Sequence, residues 1–398
     1  MWRSARLVAV GVLAAGLVAC GAARSRGPSA AGAVAPLKPA SSLAGSCAGV
    51  ARGELTDVAR RIYAQAVHGA GVVTAVKRLR RTTALAAAVA SGDRRAVRAA
   101  FLPIRHQIVR IELFDRSHLL YSFGRHATFA PIRGRLYDAQ GHAVGHFVLA
   151  VTDRRAYAAL VKRLTGAAVA FRTGPRRPAH GTVVLPTRNY PSGPLKIDVR
   201  LPATSRSLCG STPQVTRANT IGYVGRRLVR AEHHSADVTR TLRHVARDPA
   251  FRRATAANDP RAIRTAIVDD FFRDHSLHVV RVRVMRRHRL VYDLGGPYAL
   301  EPATGIVRSP DGRTAARFAL AVQDDTGYIK LMHRFTGADV QLVSPLGKVP
   351  GSTLEPGPDL IPAHGTLTYR GRRYLASSFD ATAFPSGTLR VSLLVPLS

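Results

Sequence analysis

The sequence has 398 residues, and its 59 Lys and Arg against 24 Asp and Glu give a formal net charge of +35 at pH 7. A surface this basic concentrates anions, so acidic or phosphorylated partners are expected. Nucleic acid is not a predicted partner, because recognition of single strands needs aromatic platforms between basic residues. Trp occurs once, at the second position, and Tyr and Phe fall mostly at strand-like core spacings. The alternative is that the arginines reflect genomic composition and form a solvated surface without a chosen partner.

Residues 1–19 predict a secretion signal. Arg3 and Arg6 are followed by an apolar stretch that is too short to span a bilayer. The stretch ends in Leu17-Val-Ala-Cys20, which resembles the signal of bacterial lipoproteins, where the Cys thiol is acylated and becomes the mature N-terminus. The resemblance implies that Cys20 is lipidated and anchors the protein at the outer face of the cytoplasmic membrane. The alternative is an ordinary signal peptide whose cleavage site lies near a cysteine.

Residues 20–51 are predicted to form a flexible tether, because a segment rich in Ala, Gly, Ser and Pro cannot bury enough apolar surface to fold. No later stretch approaches the roughly 20 apolar residues that a transmembrane helix needs. We therefore expect that no domain enters the cytoplasm. Any signal that the protein senses would then pass to a separate membrane partner, such as a kinase or a receptor.

Two cysteines remain after Cys20, and each stands just before one half of the chain. In an oxidising compartment, Cys47 and Cys209 are more often paired than free, so a disulfide is predicted. A bridge closing so long a loop would contribute up to ~5 kcal/mol in the chain-entropy model. Metal ligation by so few cysteines is not expected.

The rest of the sequence contains one unit twice, which predicts two domains at residues 52–203 and 216–398 with a linker at residues 204–215. Corresponding segments include Val58-Ala-Arg-Arg-Ile with Val224-Gly-Arg-Arg-Leu, Leu120-Tyr-Ser-Phe-Gly with Val291-Tyr-Asp-Leu-Gly, and Leu164-Thr-Gly-Ala with Phe335-Thr-Gly-Ala. A period this long indicates duplicated domains and not a solenoid.

Each unit is predicted to begin with helices. Apolar residues recur at helical spacing from about Thr216 to His244. Asp259 and, in copy one, Asp93 stand where an N-cap is expected, and a proline suits the first helical position after Asp259. A further short helix is predicted from about Gly327 to Phe335.

The apolar period then changes to two, which predicts strands separated by turns. In copy two these strands cover residues 280–285, 289–293, 317–322, 364–369, 374–379 and 388–395. Val280, Val282 and Val284 would face the core and place Arg281 and Arg283 on the opposite face. Helices followed by strands favour an α+β fold with an antiparallel sheet.

This order of elements resembles the extracytoplasmic PAS-like sensor domains called Cache or PDC. The residues that carry the resemblance are Phe318–Gly337, His364–Phe379 and Pro385–Pro396, with a weaker echo in copy one. The resemblance implies two PAS-like domains, each with N-terminal helices packed on a five- to six-stranded antiparallel sheet that a helix crosses. It also implies a small-molecule-binding module of the kind that sits outside a membrane-bound kinase, cyclase or chemoreceptor. This chain departs from the pattern because it carries no effector domain.

In domains of this type the ligand lies between the sheet and the segment that crosses it. The residues nominated on that basis are Arg281, Arg283, Tyr292, Arg317, Asp324 and Tyr328. Arginines there would suit a carboxylate or a phosphate, although they could also be the wet face of a one-sided sheet. Asp153 and Tyr157 repeat Asp324 and Tyr328, and this repetition could mark either a site or a cap and a core contact.

The two copies are not expected to do the same work. Copy one is shorter from His180 to Pro191 than copy two is from His364 to Pro385, so its final hairpin is predicted to be truncated. Copy two is therefore the predicted ligand-binding domain and copy one a spacer or dimerisation module, with the reverse assignment left open.

The sequence predicts no enzyme and no cofactor, since no metalloprotease, nucleophile-elbow, phosphate-loop or dinucleotide motif is present. Glu232-His233-His234 with Asp237 is interpreted as a solvated helix face, because neighbouring helical residues point in different directions and suit a metal poorly. The predicted function is a lipid-anchored sensor for a small anion. The alternative is a polycationic scaffold that holds acidic envelope polymers and has no small-molecule ligand.

Overall fold

The computed structural model describes residues 46–397 apart from 126, 179–180, 275–276, 297–299, 346 and 385–386. The predicted signal peptide, Cys20 and most of the predicted tether lie outside the described residues. The described chain divides into two compact units. Unit 1 extends to Ser205, and unit 2 comprises Arg206 onward together with residues 163–165. The division falls within the segment 204–215 that was predicted as the linker.

Unit 1 begins with four helices. They are α1 (Cys47–His68), α2 (Ala70–Arg81), α3 (Thr83–Ser91) and α4 (Arg94–Phe101). The prediction that the tether extends to residue 51 is wrong, because the Ser46 side chain accepts a hydrogen bond from the Gly49 amide and starts α1 at Cys47. The predicted cap of α4 is confirmed, since the Asp93 carboxylate accepts from the amides of Arg95 and Ala96.

Two antiparallel sheets follow in unit 1. The first has the order β2-β1-β4-β3 and consists of β1 (Arg110–Asp115), β2 (His118–Gly124), β3 (Ile132–Tyr137) and β4 (Ala143–Ala150). Helix α5 (Arg154–Thr165) leads to the second, which has the order β5-β7-β6 and consists of β5 (Ala168–Arg172), β6 (Thr182–Arg188) and β7 (Pro194–Arg200).

Unit 2 repeats this order, again starting with helices. They are α6 (Pro213–His233), α7 (Ala236–Arg247), α8 (Pro249–Ala257) and α9 (Pro260–Ala266), with a π-helical turn at Ile267–Phe272. The helix predicted over 216–244 is thus two helices, because Ser235 caps a new start by accepting from the Val238 amide. The predicted cap of α9 by Asp259 is confirmed.

The sheets of unit 2 are also antiparallel. The first has the order β10-β11-β8-β9 and consists of β8 (Arg281–Arg286), β9 (Arg289–Gly295), β10 (Ala303–Arg308) and β11 (Thr314–Ala321). After α10 (Asp325–Thr336) comes a sheet of order β13-β12-β16-β15-β14, made of β12 (Asp339–Ser344), β13 (Gly347–Lys348), β14 (His364–Tyr369), β15 (Arg372–Thr382) and β16 (Thr388–Pro396).

The α+β class is confirmed. In unit 2 the N-terminal helix α6 packs on a five-stranded antiparallel sheet, as expected, whereas the described part of unit 1 has sheets of four and three strands, so the expected five- to six-stranded sheet is wrong for unit 1. Among the described residues each unit has two separate sheets with a helix between them in the chain. Gly166 and Gly337 end those helices in the left-handed conformation, at φ 73° and 72°, and turn the chain into the second sheet. Helix α10 packs on β12 and α6.

The core of unit 2 fixes which face of the four-stranded sheet remains for function. Val282 and Val284 are fully buried beneath α7, α8 and α9, where they meet Phe251 and Phe271. Val280, predicted to join them, lies before the strand and packs against Phe384. The opposite side of this sheet, hereafter the outer face, carries the alternate residues of each strand.

Candidate anion-binding face of unit 2

Strand register arranges the outer face of unit 2 in three rows that run across the strands. The inner row is Ala321, Arg281 and Gly295; the middle row is Thr304, Ala319, Arg283 and Asp293; the turn row, next to the β8–β9 turn, is Ile306, Arg317, Met285 and Leu290. The three arginines nominated from the sequence, Arg281, Arg283 and Arg317, therefore do lie on one face, one in each row.

Arg281 is held by other side chains. Its guanidinium donates to both carboxylate oxygens of Asp293, at 3.0 Å from Nε and 2.8 Å from Nη2. It also lies over the Phe384 ring, 4.5 Å from the centroid. The Arg283 Nε is 3.9 Å from the same carboxylate. The side chains of Arg281 and Asp293 are only 14% and 23% exposed. We therefore interpret the contact between the two arginines and Asp293 as structural, with its charges largely neutralised within the protein.

The turn row is different, because its arginine is exposed and has no acidic partner in the part of the chain that the structure describes. Among the described residues, Arg317 makes no ion pair and no side-chain hydrogen bond. Strand register places it between Ile306 and Met285. Leu290, 51% exposed, lies beyond Met285 on the edge strand β9, and Ile306, 43% exposed, lies on the edge strand β10.

A groove of about 720 Å³ opens around three members of this row, Ile306, Arg317 and Met285, with Leu290 beyond its lining. It is lined by Met285, Arg286, Arg287, His288, Thr304, Gly305, Ile306 and the strand segment 314–319, and none of these residues is acidic. Arg287 and His288 form the tight β8–β9 turn with φ of 45° and 67°, which presents their side chains at the groove. Asp311, in the neighbouring β10–β11 turn, is hydrogen-bonded by Ser309 and lies 3.6 Å from Arg313.

Of the six nominated residues, the arginine of the turn row lines the groove and the other five do not. Tyr292 was expected on the ligand side but lies on the helix side, where it pairs with Val284 and packs against the core. Asp324 caps α10 by accepting from the Gly327 amide at 2.6 Å. Tyr328 is buried within α10. Asp324 and Tyr328 thus occupy the positions that the alternative interpretation gave them, a helix cap and a core contact.

A second polar region surrounds Tyr328. Asp325 is 6% exposed, its carboxylate accepts from the Leu300 amide, and its Oδ1 has no hydrogen-bond partner among the described residues. Burial, with a smaller contribution from the charge of Asp324, raises the pKa of Asp325 to about 7. Burial also raises the pKa of Tyr328 well above its usual value, and the nearby Glu232 adds to this shift.

Glu232 corrects one sequence interpretation. It was expected on a solvated helix face, but it lies near the end of α6, where burial raises the pKa of its carboxyl group. Within the described part of the chain, no group of three or more His, Cys, Asp or Glu residues could hold a metal ion. In unit 1 the hydroxyl of Tyr157, the counterpart of Tyr328, donates to the Ala59 carbonyl at 2.9 Å.

Cys47 and Cys209 are both disulfide-bonded in the structure. Within the residues that the structure describes, no helix is both long enough and apolar enough to cross a membrane.

Comparison with known proteins finds no matching family model, no matching curated protein and no matching solved structure. The resemblance to Cache or PDC domains thus stays a prediction from the sequence. The case for a function rests on the geometry of the groove.

Proposed function

We propose that this chain is an exported, lipid-anchored ligand-binding protein with two Cache- or PDC-like units, and that unit 2 binds a small anion in the groove of its outer face. Binding would be passed to a separate membrane protein, such as a kinase or receptor. The observation that carries the proposal is an exposed Arg317 without an acidic partner among the described residues, in a groove lined by Arg286, Arg287 and His288.

The chemistry of these side chains suits a carboxylate or a phosphate. A guanidinium offers a planar pair of N–H donors that matches two oxygens of either group. A volume of about 720 Å³ is within the range of small-molecule sites. Because no lining residue carries a negative charge, the favourable potential is left for a ligand.

Arg317 suits the anion better than Arg281, which the sequence also nominates. Arg281 already donates two hydrogen bonds to Asp293. A ligand would have to break those bonds and leave the Asp293 carboxylate poorly compensated. Arg317 has no such contact to lose among the described residues, so its interaction with an anion would add to those already present.

The test is isothermal titration of the exported chain with inorganic phosphate, methyl phosphate and citrate at moderate salt. We expect Arg317→Gln to weaken binding about tenfold or more, the effect of one charge-assisted contact. Arg243→Gln is the matched control, because it removes the same charge from an exposed position of α7. Equal losses in both variants would show general attraction to a basic surface and would contradict a defined site.

The second candidate is the polycationic scaffold for acidic envelope polymers. It is favoured by the exposed Arg133 and Arg135, which occupy the outer face of unit 1. Binding through many exposed charges weakens steeply as salt rises, whereas a ligand paired in a groove is screened less. Polyanion binding that Arg317→Gln leaves unaltered, together with no titration by small anions, would favour the scaffold.

A further inference from the structure

The turn row combines exposed apolar side chains with its arginine. Leu290 and Ile306 belong to the small set of large apolar residues that are exposed in the described chain. Both stand on one row with Met285 and Arg317. Three gaps between adjacent strands separate the ends of this row, a span of about 14 Å.

Packing within unit 2 does not account for this exposure. The buried core of the sheet lies on its other side, beneath α7, α8 and α9. Solvated apolar side chains next to a groove mark a surface that a ligand or partner can cover. A ligand or partner that covers this surface would also have to neutralise positive charge, because Arg317, Arg286 and Arg287 border the same surface.

We propose that the groove takes a single-chain amphiphilic anion. Its acidic head pairs with Arg317 and the arginines of the β8–β9 turn, and its alkyl chain covers Met285 and the exposed Leu290 or Ile306. This inference rests on the proposed function, since it specifies the class of anion that the same groove receives. Charge complementarity selects the head, and the apolar part of the row selects the chain.

The corresponding row of unit 1 provides a matched comparison. It consists of Arg135, His146, Phe114 and Leu119. Leu119 is 44% exposed, but His146 stacks on Phe114 with the ring centroids 4.6 Å apart. The centre of that row is therefore filled by the protein's own aromatic pair, so unit 1 is expected to lack the amphiphile site.

The experiment is titration of the full chain with methyl, hexyl and octyl phosphate, each below its micelle concentration, with octyl glucoside as the uncharged comparison. Each buried methylene should increase affinity about fourfold. We expect octyl phosphate to bind at least about tenfold more tightly than methyl phosphate, and octyl glucoside to bind poorly.

Variants separate the head from the chain. Leu290→Gln and Ile306→Gln together should lower the octyl-to-methyl affinity ratio about tenfold, and circular dichroism melting would confirm that these exposed positions tolerate the change. Leu119→Gln in unit 1 is the matched control and should leave the ratio unaltered. An equal loss with Leu119→Gln would indicate nonspecific adsorption and would overturn the inference.

The remaining outcomes distinguish this inference from the proposed function. If methyl and octyl phosphate bind equally and Arg317→Gln weakens both, the groove binds anions but not amphiphiles, and only the further inference fails. If no phosphate binds, both fail. If anionic phosphatidylglycerol vesicles bind but monomeric octyl phosphate does not, the surface docks on membranes and the single-chain ligand is rejected.

Discussion

The outer faces of the two four-stranded sheets share one contact and differ in another. Arg110 of unit 1 lies over the Tyr190 ring at 5.2 Å from the centroid and pairs with Glu112 at 3.0 Å. In unit 2, Arg281 lies over Phe384 at 4.5 Å, but its carboxylate partner is Asp293 on a neighbouring strand. Both units thus keep an arginine over an aromatic ring. The carboxylate that neutralises the arginine lies on the same strand in unit 1 and on a neighbouring strand in unit 2. This is expected if the partly buried guanidinium needs a carboxylate but not one at a fixed position.

The turn rows show the opposite pattern. Unit 1 has the stacked pair His146 and Phe114 at the positions where unit 2 has Arg317 and Met285. The repeated contact thus belongs to the fold, and the unrepeated arginine is the better candidate for a function specific to unit 2. A contact that both units keep after duplication therefore supports a structural role more strongly than a role in ligand binding.

The largest effect is expected on stability, when the arginine that both units share is removed. Arg281→Ala leaves the Asp293 carboxylate partly buried without its main partner, and we expect a loss of about 3 kcal/mol or more in the free energy of unfolding. Arg110→Ala should cost at least as much, because the Glu112 side chain is 11% exposed and that of Asp293 is 23% exposed. Urea denaturation measures both, with the exposed Arg317→Ala expected to change stability by about 0.5 kcal/mol or less. A stable Arg281→Ala protein that no longer binds anions would reverse the assignment.

The next test uses the acid that unit 2 alone possesses. The position of Asp325 is held in unit 1 by Arg154, which donates to Asn189 at 2.7 Å. Because the folded pKa of Asp325 is raised to about 7, its stabilising contribution is complete below the unfolded pKa of about 3.9 and is lost as pH rises through about 7.

We therefore expect Asp325→Asn to be more stable than the parent at pH 8, by roughly 2 kcal/mol, and to show less loss of stability between pH 4 and pH 8. Thermal melting across this pH range measures the difference. Asp259→Asn, at the exposed cap of α9, is the matched control for the loss of one carboxylate. Parallel curves for the parent and Asp325→Asn would exclude Asp325 as the source of the pH dependence.

A third test converts one row into the other. Arg317→His with Met285→Phe gives the turn row of unit 2 the aromatic pair of unit 1. We expect phosphate affinity to fall about tenfold through loss of a charge-assisted contact, with little change in stability. Titration with methyl phosphate measures this, and Arg243→Gln again controls for the lost charge. Unaltered affinity would show that the difference between the rows has no bearing on binding.

The sequence predicted which face of the sheet carries the arginines, but not which of them would be neutralised by an acidic side chain. A period of two places Arg281 and Arg283 opposite Val282 and Val284, and the structure confirms that side. Whether an acid neutralises an arginine depends on the register of the neighbouring strand, and the contact with Phe384 joins residues far apart in the sequence. Neither the register of two strands nor a contact between distant residues produces a periodic pattern in the sequence.

Tyr292 was misplaced for a related reason. The register of β8 with β9 shifts between Val284 and Met285, so that Leu290 pairs with Met285 and Tyr292 with Val284. Such a bulge reverses the sides that strict alternation assigns beyond it. Strand β10 was missed because Gly305 weakens its apolar pattern, although that glycine is needed where the Phe318 ring leaves no room for a Cβ atom.

The starts of α4 and α9 were predictable because capping is local. Asp93 and Asp259 each accept hydrogen bonds from the two amides that open α4 and α9, and these caps form the smallest test of the shared design. Asp93→Ala and Asp259→Ala should each cost about 1 kcal/mol, while the Asn substitutions should cost a few tenths. Urea denaturation of the four variants measures the costs. A much larger loss at Asp259 alone would mean that this residue has a role in unit 2 beyond the cap that both units share.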